Sequence, residues 1–424
     1  MVKLKLHWQI LIAIVSAILV GMVVDKDTAI GGIVFYDVFN FLGTLFLNAL
    51  KMLIVPLVLS SIICGIASMG SSKNLGRLGG KTIGFYMLSS LLAILIGLAF
   101  VNMLAPGIID GKPAGSMLNL SSPAEVSAQL DRVEGHGASD IANVFLRMVP
   151  TNIVKAAANG QMLGLIFFGL LFGYYMSRIN GELKQTLDNF WQGIFQTMMA
   201  ITMFVMKFAP IGVFGLVAKT IAATGFSAFQ PLLLFFITVL LALAFHAFIT
   251  LAALLKFLGR VNPLRHYSVM APAMLTAFST ASSSGTLPIT LECVKKGAGV
   301  SDQTTSFVLP LGATINMDGT ALYECVAAMF IAQAYGLDLN FTTQFTIVLV
   351  ALLTSIGVAG IPAASLVAIT VILGVIGLPL EGIGMLLVTD RILDMLRTAV
   401  NVFSDSCCAV IIAKTEGEDG VLAG

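Results

Sequence analysis

Apolar runs dominate the chain at 8–24, 38–69, 82–104, 162–176, 194–217, 231–257, 307–334 and through most of 341–412, with short polar connections between them. Most reach the roughly 20 residues that a helix needs to cross a bilayer. The pattern predicts an all-α polytopic membrane protein. No small-residue cleavage site follows the first run, which exceeds a signal-peptide core, so it is expected to be retained as a span. Two stretches break the apolar pattern in a similar way. Ser279-Thr280-Ala281-Ser282-Ser283-Ser284-Gly285-Thr286-Leu287-Pro288 is small and polar in the middle of one segment. Ser355-Ile356-Gly357-Val358-Ala359-Gly360-Ile361-Pro362 splits another into two halves of about 17 residues. Each reads as the tip of a helical hairpin.

Charge supplies the orientation. Lys3 and Lys5, then Lys73, Arg77 and Lys81, then Arg178 and Lys184, then Lys256, Arg260 and Arg265 fall on alternate connections. Short loops rich in Lys and Arg stay in the cytoplasm, which places both termini inside. The connection from Pro106 to Asp140, with Asp110, Glu125, Asp131, Glu134 and Asp140, is expected to face out. Arg265 and the pair Lys295/Lys296 flank the first broken segment, and both belong inside. About 29 residues separate them where two spans would need about 40, so the segment enters and returns on one side. The second hairpin then enters from the outer face. Corresponding broken segments in inverted repeats point to a central binding site at membrane depth; packing seams of small residues are the plainer alternative.

Composition agrees with the pattern and removes other classes. Hydrophobic residues are 58% of the 424, charged residues 11%, and mean hydropathy is +0.97, where soluble domains hold about 45–50% apolar residues. The lipid bilayer is the implied partner. A net charge of +1 without a basic patch gives no support for nucleic-acid binding. Cys64, Cys293, Cys325, Cys407 and Cys408 lack a paired CxxC spacing and read as small apolar filler. Of the four histidines only His246 sits in mid-span. Neither a GxSxG elbow nor an HExxH motif accompanies Ser283 or Asp318, so an intramembrane hydrolase is disfavoured and the chain reads as a non-enzyme.

Against that background, the last run is unusual. Asp390, Arg391, Asp394, Arg397, Thr398, Asn401 and Asp405 fall within roughly 120° of one helix face, a ladder about 22 Å tall. Ionisable groups at membrane depth cost at least about 2.5–3.5 kcal/mol unless paired or hydrated, and they commonly mark a pathway or site. Arg397 offers a planar fork suited to a carboxylate, and Asp394 one turn away can accept from an ammonium group. The two could equally neutralise each other as an i, i+3 pair. A third break, Asn316-Met317-Asp318-Gly319-Thr320, interrupts the run after Leu309-Pro310-Leu311-Gly312-Ala313-Thr314-Ile315. Carbonyls freed there, with Asn316, Asp318, Asn401 and Asp405, form a donor set for a hard cation. Broken-helix C-termini favour that cation, while N-termini near Gly285 and Gly360 favour an anion.

At these residues the chain resembles the dicarboxylate/amino acid:cation symporter family, which includes archaeal aspartate transporters and animal excitatory amino acid transporters. The resemblance covers essentially the whole chain, including Lys51-Met52-Leu53-Ile54-Val55-Pro56 and Ala209-Pro210-Ile211-Gly212-Val213-Phe214. Its most specific parts are Ser282 to Pro288, Asn316 to Thr320 and Asp394 to Asp405. It implies a homotrimer and an elevator-type movement. Residues 1–80 (spans 1 and 2) and 106–225 (outer loop, spans 4 and 5) would form the scaffold. Residues 81–105 (span 3) and 226–424 (span 6, both hairpins, spans 7 and 8) would form the moving part. Substrate contacts carry over to Ala281, Ser282, Ser283, Thr320, Gly360, Ile361, Asp394, Arg397, Thr398 and Asn401. Sodium contacts carry over to Gly312, Asn316, Asn401 and Asp405, to Thr314, Ser355, Ile356 and Val358, and to Tyr86, Ser89, Ser90, Asn316 and Asp318.

The same resemblance narrows substrate and ion. Arg397 stands where the family reads an acidic side chain and Asp394 where it reads an amine, so aspartate or glutamate is expected ahead of a C4-dicarboxylate. Asp405 and the intact Asn-Met-Asp motif match sodium-coupled members, with a proton-coupled glutamate symporter or C4-dicarboxylate carrier of the same fold as alternatives. Glu324 stands where animal members carry a proton, and a carboxyl in apolar surroundings can load and release one. Ala281 and Met395 both lack the arginine that relatives place at one of those positions, which weakens the case for potassium countertransport. Ala363-Ala364-Ser365 replaces a Gly-rich or Gln-Ala-Gly stretch, and added methyls reduce backbone freedom after the second tip. A cell inner membrane, multi-pass location follows.

Overall fold

The computed structural model describes residues 6–67, 73–118, 120, 146, 149–158, 162–179, 181–224, 229–337, 340–357, 364–378 and 382–422. Helices make up nearly all of it. In chain order they are α1 (Leu6–Val23), α2 (Phe35–Ala67), α3 (Lys73–Leu104), α4 (Ile153–Ala158), α5 (Met162–Met176), α6 (Glu182–Met206), α7 (Ala209–Thr224) and α8 (Phe229–Phe257). They continue as α9 (Pro263–Thr280), α10 (Ser283–Glu292), α11 (Asp302–Ile315), α12 (Asp318–Ala334), α13 (Phe341–Gly357), α14 (Ala364–Ile376) and α15 (Ile383–Thr415). Two short antiparallel ribbons, Ala29–Ile30 with Ile33–Val34 and Ile108–Ile109 with Lys112–Pro113, were not expected from the apolar pattern.

Among the described residues, Arg77–Leu104, Phe229–Phe257 and Val388–Thr415 are each long and apolar enough to cross a membrane. The run 194–217, expected as one span, is instead divided between α6 and α7, which meet at a bend of 55°. Pro210 explains part of the division, because proline has no N–H to continue the preceding helix and suits the first turn of the next.

The helices pack in two groups. In one, α1 lies on α7, and α2 lies on α5, α6 and α7. Close approach there needs small residues: a Cβ at Gly215 would sit 2.7 Å from the Phe39 carbonyl. The other group surrounds α12, every residue of which is buried, so its polar side chains Asp318, Thr320, Glu324 and Gln333 all lie in the interior. Helices α3, α8, α13, α14 and α15 pack directly on it.

The expected first tip is a two-residue turn. Asn262 caps α9, accepting from Leu264 N–H at 3.0 Å, with Pro263 in the favoured first position. The helix ends where Ala281 takes a left-handed conformation, φ 49°, and Ser282 then caps α10 by accepting from Gly285 N–H at 3.0 Å. Both helices of this hairpin pack against α15. Helix α8 carries a π-helical turn at His246–Thr250, closed by Leu251 N–H on the His246 carbonyl.

Beyond α15 the chain doubles back as a strap. Glu416 meets Lys81 Nζ at 2.5 Å and Arg77 Nε at 3.3 Å, at the start of α3. Glu418 accepts from Ser301 N–H at 2.8 Å and from the Ser301 and Thr304 hydroxyls at 2.7 and 2.5 Å, at the start of α11. Leu422 N–H reaches the Ala298 carbonyl at 2.9 Å. The Lys81 hydrogen bond holds Glu416 below the usual carboxylate range. Burial pushes Glu418 up, but its bonds from Thr304 and Ser301 outweigh that and leave it below as well.

Candidate functional site

The expected break in the seventh apolar run lies at Asn316–Met317, between α11 and α12. It is the point where three polar groups meet. In the first, Asp318 at the start of α12 accepts from Ser90 Oγ at 2.8 Å and Ser404 Oγ at 2.6 Å, with His246 Nε2 at 3.2 Å. Asn316 Nδ2 donates to Ser404 Oγ at 3.1 Å and to Asp405 Oδ1 at 2.9 Å. Asn316 Oδ1 is buried and has no hydrogen-bond partner among the described residues. Ser89 Oγ lies 3.5 Å from Ser404 Oγ. Tyr86 donates to the Val308 carbonyl at 2.9 Å, yet its hydroxyl and the Asp405 carboxylate both crowd the face of Gly312.

This group is rich in oxygen and poor in the ligands of soft metals. Among the described residues no three His, Cys, Asp or Glu side chains converge as metal ligands. Hydroxyls, an orphaned amide oxygen and carboxylates suit a hard cation. A carboxylate in the first turn of α12 is also favoured by the partial positive charge of that helix end.

The second group is built around Asn401. Its Oδ1 accepts from Gly319 N–H at 2.8 Å, and its Nδ2 donates to Thr320 Oγ1 at 3.1 Å and lies 3.5 Å from Met317 Sδ. Every polar atom of the amide is therefore committed to the break. Backbone spacing is tight here: a Cβ on Gly319 would be 2.9 Å from the Arg397 carbonyl oxygen.

The third group holds Arg397, which is 0% exposed. Its Nη2 donates to Asp390 Oδ1 at 3.0 Å and Asp394 Oδ1 at 3.1 Å, and its Cζ lies 3.8 Å from the centre of the Tyr323 ring. Nε and Nη1 are buried without partners among the described residues. Asp394 also pairs with Arg391 Nη1 at 3.4 Å. The internal pairing left open from the sequence is thus present, and the fork is half occupied. An incoming carboxylate would find Nη1 free and would compete with Asp390 and Asp394 for Nη2. Thr398 donates to the Asp394 carbonyl at 2.7 Å.

The remaining expected residues are placed apart from these bonds. Ser283 is buried at the tip, and the hydrogen bonds of Ser282 stay within the hairpin. Glu324 is fully buried, accepting from Thr354 Oγ1 at 3.0 Å, and its Oε1 has no partner among the described residues. Val358, Gly360 and Ile361 lie outside the described residues, as do the side chains of Thr314, Ser355 and Ile356.

Sequence reading missed Ser404 and Tyr323, and it placed Asp390 on the polar face and His246 in mid-span without giving either a role. The pairing of Asp390 with Arg397 follows from that shared face, since i and i+7 lie on one side of a helix. Tyr323, one aromatic among the many of an apolar chain, gave no such signal.

Comparison with known proteins extends the match beyond these residues. The chain matches the sodium:dicarboxylate symporter family over residues 6–415. It is 36% identical over 416 residues to the proton/sodium-glutamate symport protein of Bacillus caldotenax, covering 98% of this chain and 96% of that relative. It is 37% identical over 418 residues to the proton/glutamate-aspartate symporter of Escherichia coli (strain K12), covering 98% and 94%. It is 34% identical over 455 residues to excitatory amino acid transporter 3 of Mus musculus, covering 97% and 86%. A family match running almost from end to end, on a chain of long apolar helices with a polar centre, leaves one conclusion: this multi-pass membrane protein belongs to the sodium:dicarboxylate symporter family.

Proposed function

We propose that the protein is a secondary active symporter that imports an acidic amino acid, aspartate and/or glutamate, on the sodium gradient. The observation that carries this reading is the adjacency of unlike chemistries at one helix start. Asp318 belongs to an oxygen-rich group, while Gly319 and Thr320, the next two residues, bond Asn401 beside Arg397. Arg397 would read the substrate side chain, Asp394 its ammonium group, and Thr398, Asn401, Thr320 and the first tip its remaining polar atoms. Sodium would be held by Asn316, Asp405, Gly312 and Asn401, and by Asp318 with Tyr86, Ser89 and Ser90. Thr314, Ser355, Ile356 and Val358 would complete a further position.

The wider architecture in this proposal has eight spans and two re-entrant hairpins in inverted repeats. A moving domain of 81–105 and 226–424 would travel against a scaffold of 1–80 and 106–225 as an elevator. Three copies would assemble in the cell inner membrane with cytoplasmic termini. The packing of α3, α8, α13, α14 and α15 on α12, and of α1 and α2 on α7, supports that division, with α15 on α7 and α13 on α2 among the contacts between the two sets. Glu324 would carry a proton with the substrate, a role supported by its burial and its half-satisfied carboxyl.

Reconstituted uptake of labelled aspartate and glutamate tests the reading, with sodium, pH and potassium varied separately. Accumulation is expected to need sodium. Concentrative uptake in choline under a proton gradient would overturn sodium coupling. Succinate competing as well as aspartate would favour the C4-dicarboxylate alternative, because succinate has no ammonium for Asp394. Uptake by Glu324→Gln is expected to lose its pH dependence.

A further inference from the structure

We propose that His246 is a positioning residue for Asp318: its Nε2–H fixes Asp318 Oδ2 and thereby sets how that carboxylate meets a cation. The inference rests on the cation reading of the Asp318 group proposed above.

Three observations separate this from a histidine that merely fills a core. The first is the contact. His246 and Asp318 are both 0% exposed, and the ring nitrogen lies 3.2 Å from Oδ2. A carboxylate can only accept, so Nε2 carries the hydrogen. With Ser90 on α3 and Ser404 on α15, His246 on α8 is the third donor on one buried carboxylate. Donors from three separate helices fix both its place and its rotation.

The second is the backbone. The π-helical turn begins at His246 itself, within the 29 residues of an otherwise apolar span. One extra residue in a helical turn shifts the face that the following residues present, and such turns recur at functional sites. This one is held in place. The Ala247 carbonyl accepts from the Tyr267 hydroxyl of α9, and the Tyr267 ring stacks on Phe403 of α15 at 4.4 Å and 11°. The hairpin and the last helix thus clamp the turn that carries the histidine.

The third is the other ring nitrogen. Nδ1 is buried with no partner among the described residues. A buried polar atom left unpaired in an apolar span is costly. Leu or Phe would pack there without that cost, and the Nε2 contact with Asp318 is the interaction that offsets it.

The test is sodium-dependent binding of labelled aspartate by purified, detergent-solubilised full-length protein. His246→Leu removes the donor, His246→Asn shortens its reach, and His246→Gln keeps an N–H at similar reach. Half-saturating sodium is expected to rise at least about ten-fold in H246L and H246N, and to return to within about three-fold of wild type in H246Q. Aspartate affinity at saturating sodium is expected to stay near wild type in all three. In an Asp318→Asn background, H246N is expected to add nothing further. Should H246L fail to fold, the comparison of H246N with H246Q carries the same information. An unchanged sodium midpoint in H246N, or equal defects in H246N and H246Q, would overturn the positioning role while leaving the symport reading intact. Wild-type binding that ignores sodium would overturn both.

Discussion

A single methyl group added at Gly312 tests the cation position without touching the substrate group. A Cβ there would press on Asp405 Oδ1 and sit 2.5 Å from Tyr86 Oη, closer than Cβ contacts allow. Two effects oppose each other in Gly312→Ala. Alanine is favoured over glycine in a helix interior by about 1 kcal/mol. Overpacking costs about 1–3 kcal/mol, and neither neighbour is free to yield. The Tyr86 hydroxyl is held on the Val308 carbonyl and the Asp405 carboxylate on Asn316, each at 2.9 Å. The clash therefore wins by up to about 2 kcal/mol, and it falls on two proposed sodium ligands. Displaced ligands are expected to weaken sodium binding about ten-fold or more, equivalent to about 1.4 kcal/mol. Thermal unfolding in detergent, titrated with sodium, reads this directly. At sodium 100 times the wild-type Kd, bound ion stabilises by about 2.7 kcal/mol, and ten-fold weaker binding leaves about 1.4 kcal/mol. Gly84→Ala on α3 is the control, because a Cβ there meets nothing within 4 Å. A wild-type sodium midpoint in Gly312→Ala would refute the assignment of Gly312 and Asp405 to a cation.

Three further outcomes are expected. Arg397→Lys loses the planar stack on Tyr323 at 3.8 Å and one of the shared donors, and is expected to weaken aspartate binding about 10–100-fold in competition assays; unchanged affinity would exclude Arg397 as the acidic-side-chain reader. Ala281→Gly relieves a left-handed alanine, φ 49°, and is expected to stabilise by about 0.5–1 kcal/mol, since that conformation costs an L-residue about 1–2 kcal/mol and glycine gives part back in unfolded-state entropy; a fall in Tm would show that the methyl packs productively. Glu416 and Glu418 have lowered folded values, so their contribution is complete above the ordinary glutamate pKa near 4.3 and is lost as pH falls through the lower folded values. Amide protection over 415–422 is accordingly expected to hold from pH 7 to about 5 and to fall below about 4, with Glu418→Gln already reduced at pH 7; protection indifferent to both would remove the carboxylates from the strap.

Local chemistry explains what could be read in advance. Polar Asn316 to Thr320 inside an apolar run announced a break, and Asn316–Met317 is where helix α11 gives way to α12. Small polar residues announced the first tip, and Ser282 caps the helix after it. The polar face of α15 followed from helical spacing, and most of its members do meet partners in the interior. What was missed depends on packing between distant segments. Ser404 is one hydroxyl among many until Asn316 and Asp318 arrive beside it. The π turn at His246 has no composition signature, since the Ala247 carbonyl is satisfied by Tyr267, 20 residues later. The bend between α6 and α7 was hidden by continuous hydrophobicity, which reports burial in lipid or protein and says little about axis direction.

The Asn316–Met317 interruption has a thermodynamic consequence. Asp318, Gly319 and Thr320 are consecutive, so the ion and substrate positions proposed above would act on one helical turn. Asn401 bonds both Gly319 and Thr320, so a displacement of that turn is passed directly to it. On that proposal, occupancy of either place would change the free energy of filling the other, and linkage makes such an effect reciprocal. The factor by which sodium tightens the substrate must equal the factor by which the substrate tightens sodium. Two independently measured ratios that disagree would mean that the shared turn does not carry the coupling alone.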